Sequence, residues 1–158
     1  MTNILNFCLT ISKINLMKDK KKAYFVTGID TDSGKSVASA ILVKALEADY
    51  WKPVQAGFPT DTEFVKELVA DDSIKFHKES YLLEHPMSPH AAADLEGVEV
   101  KLNQITIPQT ENSLIVEGAG GILVPLNQED YVIDIADKFG LEVILVSRLY
   151  LGNINHTL

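Results

Sequence analysis

The chain holds 158 residues, 46% of them hydrophobic and 23% charged, with a formal net charge of −8. That length suits one α/β domain with a real core and is too short for two typical domains; the acidic balance excludes a general nucleic-acid-binding surface, which is basic. No apolar run reaches the ~18 residues of a membrane span, and the single cysteine, Cys8, excludes an internal disulfide and fits a reduced, cytoplasmic setting.

Residues 1–16, MTNILNFCLTISKINL, are weakly apolar, lack a basic start and are broken by Lys13, which makes a poor signal peptide. The natural start is expected at Met17, with residues 1–16 a non-native or disordered extension and 17–158 the folded domain. Cys8 falls in that extension and reads as an incidental small apolar residue. Residues 23–27, AYFVT, predict a buried strand stopping at Gly28. From Lys35 to Ala48, the residues Val37, Ile41 and Ala45 recur at helical spacing with Ala38 and Leu42 beside them, predicting a helix. Residues 50–55, YWKPVQ, read as a second strand, which Pro53 confines to an edge or a strand end. Thr60 caps a helix over residues 61–70, and Glu63 three residues on completes a capping box.

Residues 71–112 carry polar stretches and one short helix near SPHAAA, with Pro89 at its start. Leu114–Val116 is a buried strand running into glycines; 131–139 is helical, Gly140 stops it, and 142–147 is a further strand. Strands and helices alternate, and the apolar strands lack period-two alternation. The fold class is therefore α/β, a parallel sheet of the P-loop NTPase type with helices on both faces. There is no internal repeat or low-complexity linker.

The strongest chemical signal is GIDTDSGKS, Gly28 to Ser36, between the first strand and the first helix. A glycine turn lets backbone N–H groups converge on phosphate oxygens, and the helix N-terminus adds its positive dipole end. Lys35 can neutralise the β- and γ-phosphates, and the Ser36 hydroxyl can bind Mg²⁺. Five residues, Ile29 to Ser33, separate Gly28 from Gly34, one more than the standard motif has. Two carboxylates stand just beyond strand ends, where parallel sheets place functional groups: Asp61 and Glu117. Each could serve Mg²⁺ directly or through water; the alternatives are a structural acid capping backbone for Glu117 and a plain helix cap for Asp61. Lys52, flanked by apolar residues, needs a partner for its ammonium, either an anionic substrate or solvent reached by snorkelling. His90 is a substrate contact or a packed histidine. Gly152, Asn153 and Asn155 follow a strand and could start a helix that receives a carboxylate, or simply cap one.

Five segments in order, FVTGIDTDSGKS, YWKPVQAG, SPHAAA, IVEGAGGILVPL and LGNINHTL, resemble dethiobiotin synthetase, an ATP-dependent enzyme of biotin synthesis. The resemblance runs from about Ala23 to Leu158, and the five-residue loop spacing is itself that family's pattern. It implies carboxylation of 7,8-diaminononanoate with CO₂ and ATP, followed by closure of a cyclic urea. It further implies that Gly28, Asp32, Ser33, Gly34, Lys35, Ser36 and Glu117 bind the nucleotide, and that Ser36, Asp61 and Glu117 organise Mg²⁺. Lys35, Lys52 and Thr31 would be catalytic, with Thr31, Lys52 and Gly118 at the substrate. The family is a homodimer, and residues matching Gly152, Asn153 and Asn155 receive the substrate carboxylate from the neighbouring subunit. Asp32 stands where the family usually has Glu, Ala56 where some members have Ser, and Ser36 where Thr is commoner. Family members continue past the position of Leu158, adding further strands and the segment that reads adenine, so the resemblance implies a C-terminally truncated member.

Two other readings compete. A P-loop partitioning or metal-insertion ATPase would carry a lysine early in the loop, where this chain has Ile29 and Asp30. A catalytically inactive nucleotide-binding fragment would keep the motifs without turning over.

Overall fold

The structure is a computed structural model and describes residues 21–157. The expectations for residues 1–16, for Cys8 and for a start at Met17 lie outside the described residues.

Among the described residues, seven strands and five helices follow in chain order: β1 (Ala23–Gly28), α1 (Lys35–Leu46), β2 (Asp49–Trp51), β3 (Val54–Ala56), α2 (Asp61–Val69), β4 (Phe76–His77), β5 (Tyr81–Leu83), α3 (Pro89–Glu96), β6 (Leu114–Gly121), α4 (Val132–Phe139), β7 (Glu142–Val146) and α5 (Asn153–Thr157). The main sheet has the order β4-β2-β6-β1-β7, and every pairing in it is parallel.

Side chains alternate across a strand, so each central strand feeds two cores. Tyr24, Val26, Tyr50 and Ile115 pack with Leu42 and Val43 of α1 and Val65 and Val69 of α2. Phe25, Trp51, Leu114 and Val116 point the other way, toward Ala92 of α3 and Val132 and Ile135 of α4. Truncating a buried side chain such as Leu42 to alanine costs about 2–5 kcal/mol. Helices thus cover both faces of the central strands, as the apolar runs require. On β7 the cover is one-sided: Ile144 and Val146 join the core under α1, whereas Val143 and Leu145 are 45% and 39% exposed.

YWKPVQ is two strands rather than one. β2 ends at Trp51 inside the main sheet, and β3 pairs in parallel with β5 in a separate two-stranded sheet. Pro53 has no N–H to continue a ladder; its carbonyl instead accepts from the Ser80 and Tyr81 amides at 2.8 and 3.0 Å. Strand β2 is flanked on both sides, so Pro53 marks a strand end rather than an edge. Helix α1 stops at Leu46, two residues before the expected end, because Glu47 takes a left-handed φ of 50° and the Ala48 amide closes onto the Val43 carbonyl at 3.0 Å. That turn delivers Asp49 into the sheet. The capping box on α2 is present in full: Glu63 N donates to Thr60 Oγ1, and Thr60 N donates to Glu63 Oε2, both at 3.1 Å. β6 runs on through the glycines to Gly121, further than its apolar start alone predicts.

Candidate functional site

β1, β2 and β6 end at the same rim of the sheet, and the loop after β1 turns there into α1. Gly28 is required by close approach: a Cβ at this position would lie 2.1 Å from Ser33 Oγ. Asp30 Oδ1 accepts from the Thr31 amide at 2.6 Å and opens a short 3-10 turn, Thr31–Ser33. Gly34 then adopts φ 95°, a left-handed conformation open to glycine, and starts the helix with no side chain capping it. Uncapped amides at a helix N-terminus are a ready anion site.

Lys35 sits inside this loop. It is 5% exposed, and its Nζ donates to the carbonyls of Asp30 and Thr31 at 2.9 and 2.8 Å. Burial lowers its pKa from the usual lysine value, the Lys52 charge lowers it further, and Glu117, Asp61 and Asp30 oppose that shift. An arriving phosphate would restore the charge that burial disfavours.

Beside the loop lies a buried ionic cluster. Lys52 leaves the end of β2 with its side chain 3% exposed and meets Asp61 Oδ2 at 2.6 Å, Glu117 Oε1 at 3.6 Å and the Gly118 carbonyl at 3.2 Å. Burial alone would lower the Lys52 pKa, but the two carboxylates outweigh it and hold the ammonium above its usual value. The partners of this lysine are therefore carboxylates of the protein itself, where the sequence suggested an anionic substrate or solvent. Glu117 is fully buried; Ser36 Oγ donates to its Oε1 at 2.8 Å, and Tyr50 donates to its Oε2 at 3.1 Å. Burial, then the neighbouring Glu117 charge, raises the Tyr50 pKa well above that of a free phenol.

The donor set fits a hard divalent cation. Ser36, Asp61 and Glu117 offer oxygens only, and Mg²⁺ is held by one or two carboxylates plus substrate phosphates. Among the described residues no cluster of three or more His, Cys, Asp or Glu side chains could hold a metal ion.

A cavity of about 300 Å³ opens next to the cluster; its lining includes the polar side chains of Thr31, Lys52 and Asp61 and the apolar ones of Phe58, Met87 and Val124. The structure thus gathers Gly28, Thr31, Asp32, Ser33, Gly34, Lys35, Ser36, Lys52, Asp61, Glu117 and Gly118 at one rim. Asp32 is exposed on the loop. His90 lies on α3 and does not line the cavity; its Nδ1 is buried without a hydrogen-bond partner among the described residues. Nor do Gly152, Asn153 and Asn155 line it; they sit on the turn before α5 and on α5 itself, with Thr157 Oγ1 donating to the Asn153 carbonyl at 2.7 Å.

Two side chains that meet the cluster escaped the sequence reading. Tyr50 is one; it lies in the same short segment as Lys52, and its hydroxyl reaches Glu117. Gln55 is the other: its Oε1 accepts from the Asp61 amide at 3.1 Å and its Nε2 donates to the Gly57 carbonyl at 3.0 Å. It pins the loop that carries Asp61 and leaves no local periodicity to betray it.

Comparison with known proteins adds independent findings. The profile of an AAA domain family matches residues 22–158. An ATP-dependent dethiobiotin synthetase from Cytophaga hutchinsonii is 57% identical over 139 residues, covering 87% of this chain and 68% of the relative. One from Christiangramia forsetii is 52% identical over 139 residues, 87% of this chain and 67% of the relative. A bifunctional biotin biosynthesis protein from Bordetella avium is 43% identical over 142 residues, 88% of this chain and 30% of that longer protein. The chain thus spans about two thirds of the length of the first two relatives.

Proposed function

The chain belongs to the dethiobiotin synthetase family of P-loop proteins, and from that premise we propose that it converts 7,8-diaminononanoate and CO₂ to dethiobiotin at the expense of ATP. The observation that carries this reading is the buried Lys52–Asp61–Glu117 cluster, set between the glycine loop and a cavity lined by polar and apolar side chains. The loop and Lys35 suit a triphosphate, and the cavity suits an aliphatic diamine.

The chemistry then runs in three steps. One substrate amine adds to CO₂ and loses a proton, giving a carbamate. A carbamate oxygen attacks the γ-phosphorus, the bond to the β-phosphate oxygen breaks, and ADP leaves. The second amine attacks the carbonyl carbon of the resulting mixed anhydride, phosphate departs with its electron pair, and loss of a proton leaves the cyclic urea. No covalent enzyme intermediate is needed, so the protein's part is positioning and charge neutralisation. Gly28, Asp32, Ser33 and Gly34 shape the phosphate cradle, and Lys35 releases its loop carbonyls to meet the β- and γ-phosphates. Lys52, with Thr31, holds the carbamate in line with the γ-phosphorus, and the Gly118 carbonyl keeps Lys52 aimed. Mg²⁺, held by Ser36, Asp61 and Glu117, would offset the charge growing on the phosphate oxygens.

The resemblance extends the proposal to a cytoplasmic homodimer in which Gly152, Asn153 and Asn155 receive the carboxylate of a substrate bound to the neighbouring subunit. Exposed Leu149, Leu151 and Ile154 beside them support a protein-facing surface there. Among the described residues no helix is long and apolar enough to cross a membrane. Residues 17–158 are proposed as the domain that does this work.

The test is product formation. The protein is incubated with 7,8-diaminononanoate, ¹³C-bicarbonate, Mg²⁺ and ATP, and the product is read by mass spectrometry. Dethiobiotin carrying one ¹³C in its ureido carbon is expected. ATP binding without any labelled product would favour the inactive nucleotide-binding fragment instead.

A further inference from the structure

Strand register brings one more side chain to the reacting rim. In the pairing of β2 with β6, Tyr50 stands opposite Ile115. Glu117 lies two residues further along β6, so its side chain leaves the same face as those of Ile115 and Tyr50. Two strand residues span about 6.6 Å, and a tyrosine ring laid along the sheet covers that distance. The Tyr50 ring is fully buried, with its centroid 5.8 Å from that of Phe76, and its hydroxyl ends 3.1 Å from Glu117 Oε2.

The two oxygens of Glu117 are therefore handled separately. Oε1 faces Ser36 Oγ and the Lys52 ammonium, the groups that adjoin the phosphate loop. Oε2 faces Tyr50, which does not line the cavity. A carboxylate held at one oxygen can rotate about its last bond; one held at both cannot. We propose that Tyr50 is a positioning residue that fixes the rotation of the Glu117 carboxylate so that Oε1 stays presented to Ser36 and to a nucleotide-bound divalent cation. This rests on the reading of Glu117 as part of the cation site, and Tyr50 itself touches no reacting atom.

The test is a double-mutant cycle on divalent affinity rather than on turnover. Mn²⁺ binding to the protein loaded with AMP-PNP is measured by electron paramagnetic resonance for wild type, Tyr50→Phe, Glu117→Ala and the double variant. Outer-shell partners of metal ligands are worth about 10–100-fold in affinity, so Tyr50→Phe, which keeps the packing, is expected to weaken Mn²⁺ about 10-fold. Metal-free AMP-PNP affinity in EDTA should stay unchanged. In the Glu117→Ala background the same substitution should change Mn²⁺ affinity less than about 2-fold, because residues acting through one another are not additive. Equal effects of Tyr50→Phe in both backgrounds, or none in either, would overturn the positioning role while leaving Glu117 in place. Unchanged Mn²⁺ affinity in Glu117→Ala alone would remove Glu117 from the cation site and the role of Tyr50 with it. If Tyr50→Phe does not fold, Tyr50→Leu enters the cycle; loss of the fold in both would assign the hydroxyl to stability alone.

Discussion

Two carboxylates are buried in the main sheet, one at the start of its strands and one nearer the rim where they end. Asp49 opens β2 and is 1% exposed; Glu117 is the fourth of the eight residues of β6, just past the level at which β2 ends, and is 0% exposed. A buried carboxylate is costly unless hydrogen-bonded, and both are bonded, but by different kinds of donor. Asp49 takes the Thr110 hydroxyl at 2.5 Å, the Asn112 amide at 3.1 Å, the Lys75 backbone N–H at 3.3 Å and a ring nitrogen of His77 at 3.3 Å. These donors come from β4 and from the loops that enter β4 and β6, and they fasten those segments to the sheet. Glu117 takes Ser36 and Lys52, donors that border the phosphate loop and the cavity. The burial is the same, but donors without an outlet make scaffold, whereas donors that face a ligand space make a site.

Substitutions at the two ends should separate accordingly. The largest effect is expected from Lys35→Ala: ATP-dependent product formation falls about 10²–10³-fold, while the melting temperature barely moves, since burial already disfavours the charge this lysine carries. A phosphate-release assay beside a thermal melt reads both. Lys52→Met should lower the diamine-dependent rate about 10²-fold while sparing ATP binding. It should also cost about 3 kcal/mol of stability, because Glu117 loses its buried counter-charge; equal damage to ATP affinity would contradict the assigned role.

At the other end the outcome is reversed. Asp49→Ala strips the acceptor from Thr110, Asn112 and Lys75 and should cost about 2–3 kcal/mol by denaturant melts, with the rate per folded molecule unchanged. The smallest effect is one of pH. Burial raises the Asp49 pKa, but the hydrogen bonds from Thr110, Asn112, Lys75 and His77 outweigh it, so the folded value lies below the ordinary one. A depressed carboxyl contributes stability above its unfolded pKa of about 3.9 and loses it as pH falls through the folded value. Wild type should therefore lose more stability than Asp49→Asn on acidification below about pH 4, as read by melts across that range. Parallel curves would remove Asp49 from the acid response.

Legibility in the sequence follows how local each feature is. β1, α1, the start of β6 and α4 could be read directly because their apolar patterns are self-contained. The phosphate loop could too, because Gly28, Gly34, Lys35 and Ser36 are neighbours in the chain. β3, β4 and β5 are two or three residues each and show no period to detect. Pro53 announced a break, yet nothing near it says that the chain resumes in a second sheet. The cluster was half visible: Lys52 demanded a counter-charge, and Asp61 and Glu117 were named as carboxylates at strand ends, but their meeting depends on parallel register. The same register joins Tyr50 to Glu117 across 67 positions, which no local pattern encodes. Gly152, Asn153 and Asn155 are legible only as a helix start, since the role proposed for them requires a second subunit.

Amide hydrogen exchange on the wild-type chain, with and without Mg-ATP, tests the contrast between the two ends most directly. Exchange should slow across Gly28–Ser36 and in the last residues of β6, Glu117 to Gly121, while Asp49 and residues 110–112 stay unchanged. Protection confined to the Asp49 end, or an unaltered glycine loop under saturating nucleotide, would contradict the assignment of site and scaffold.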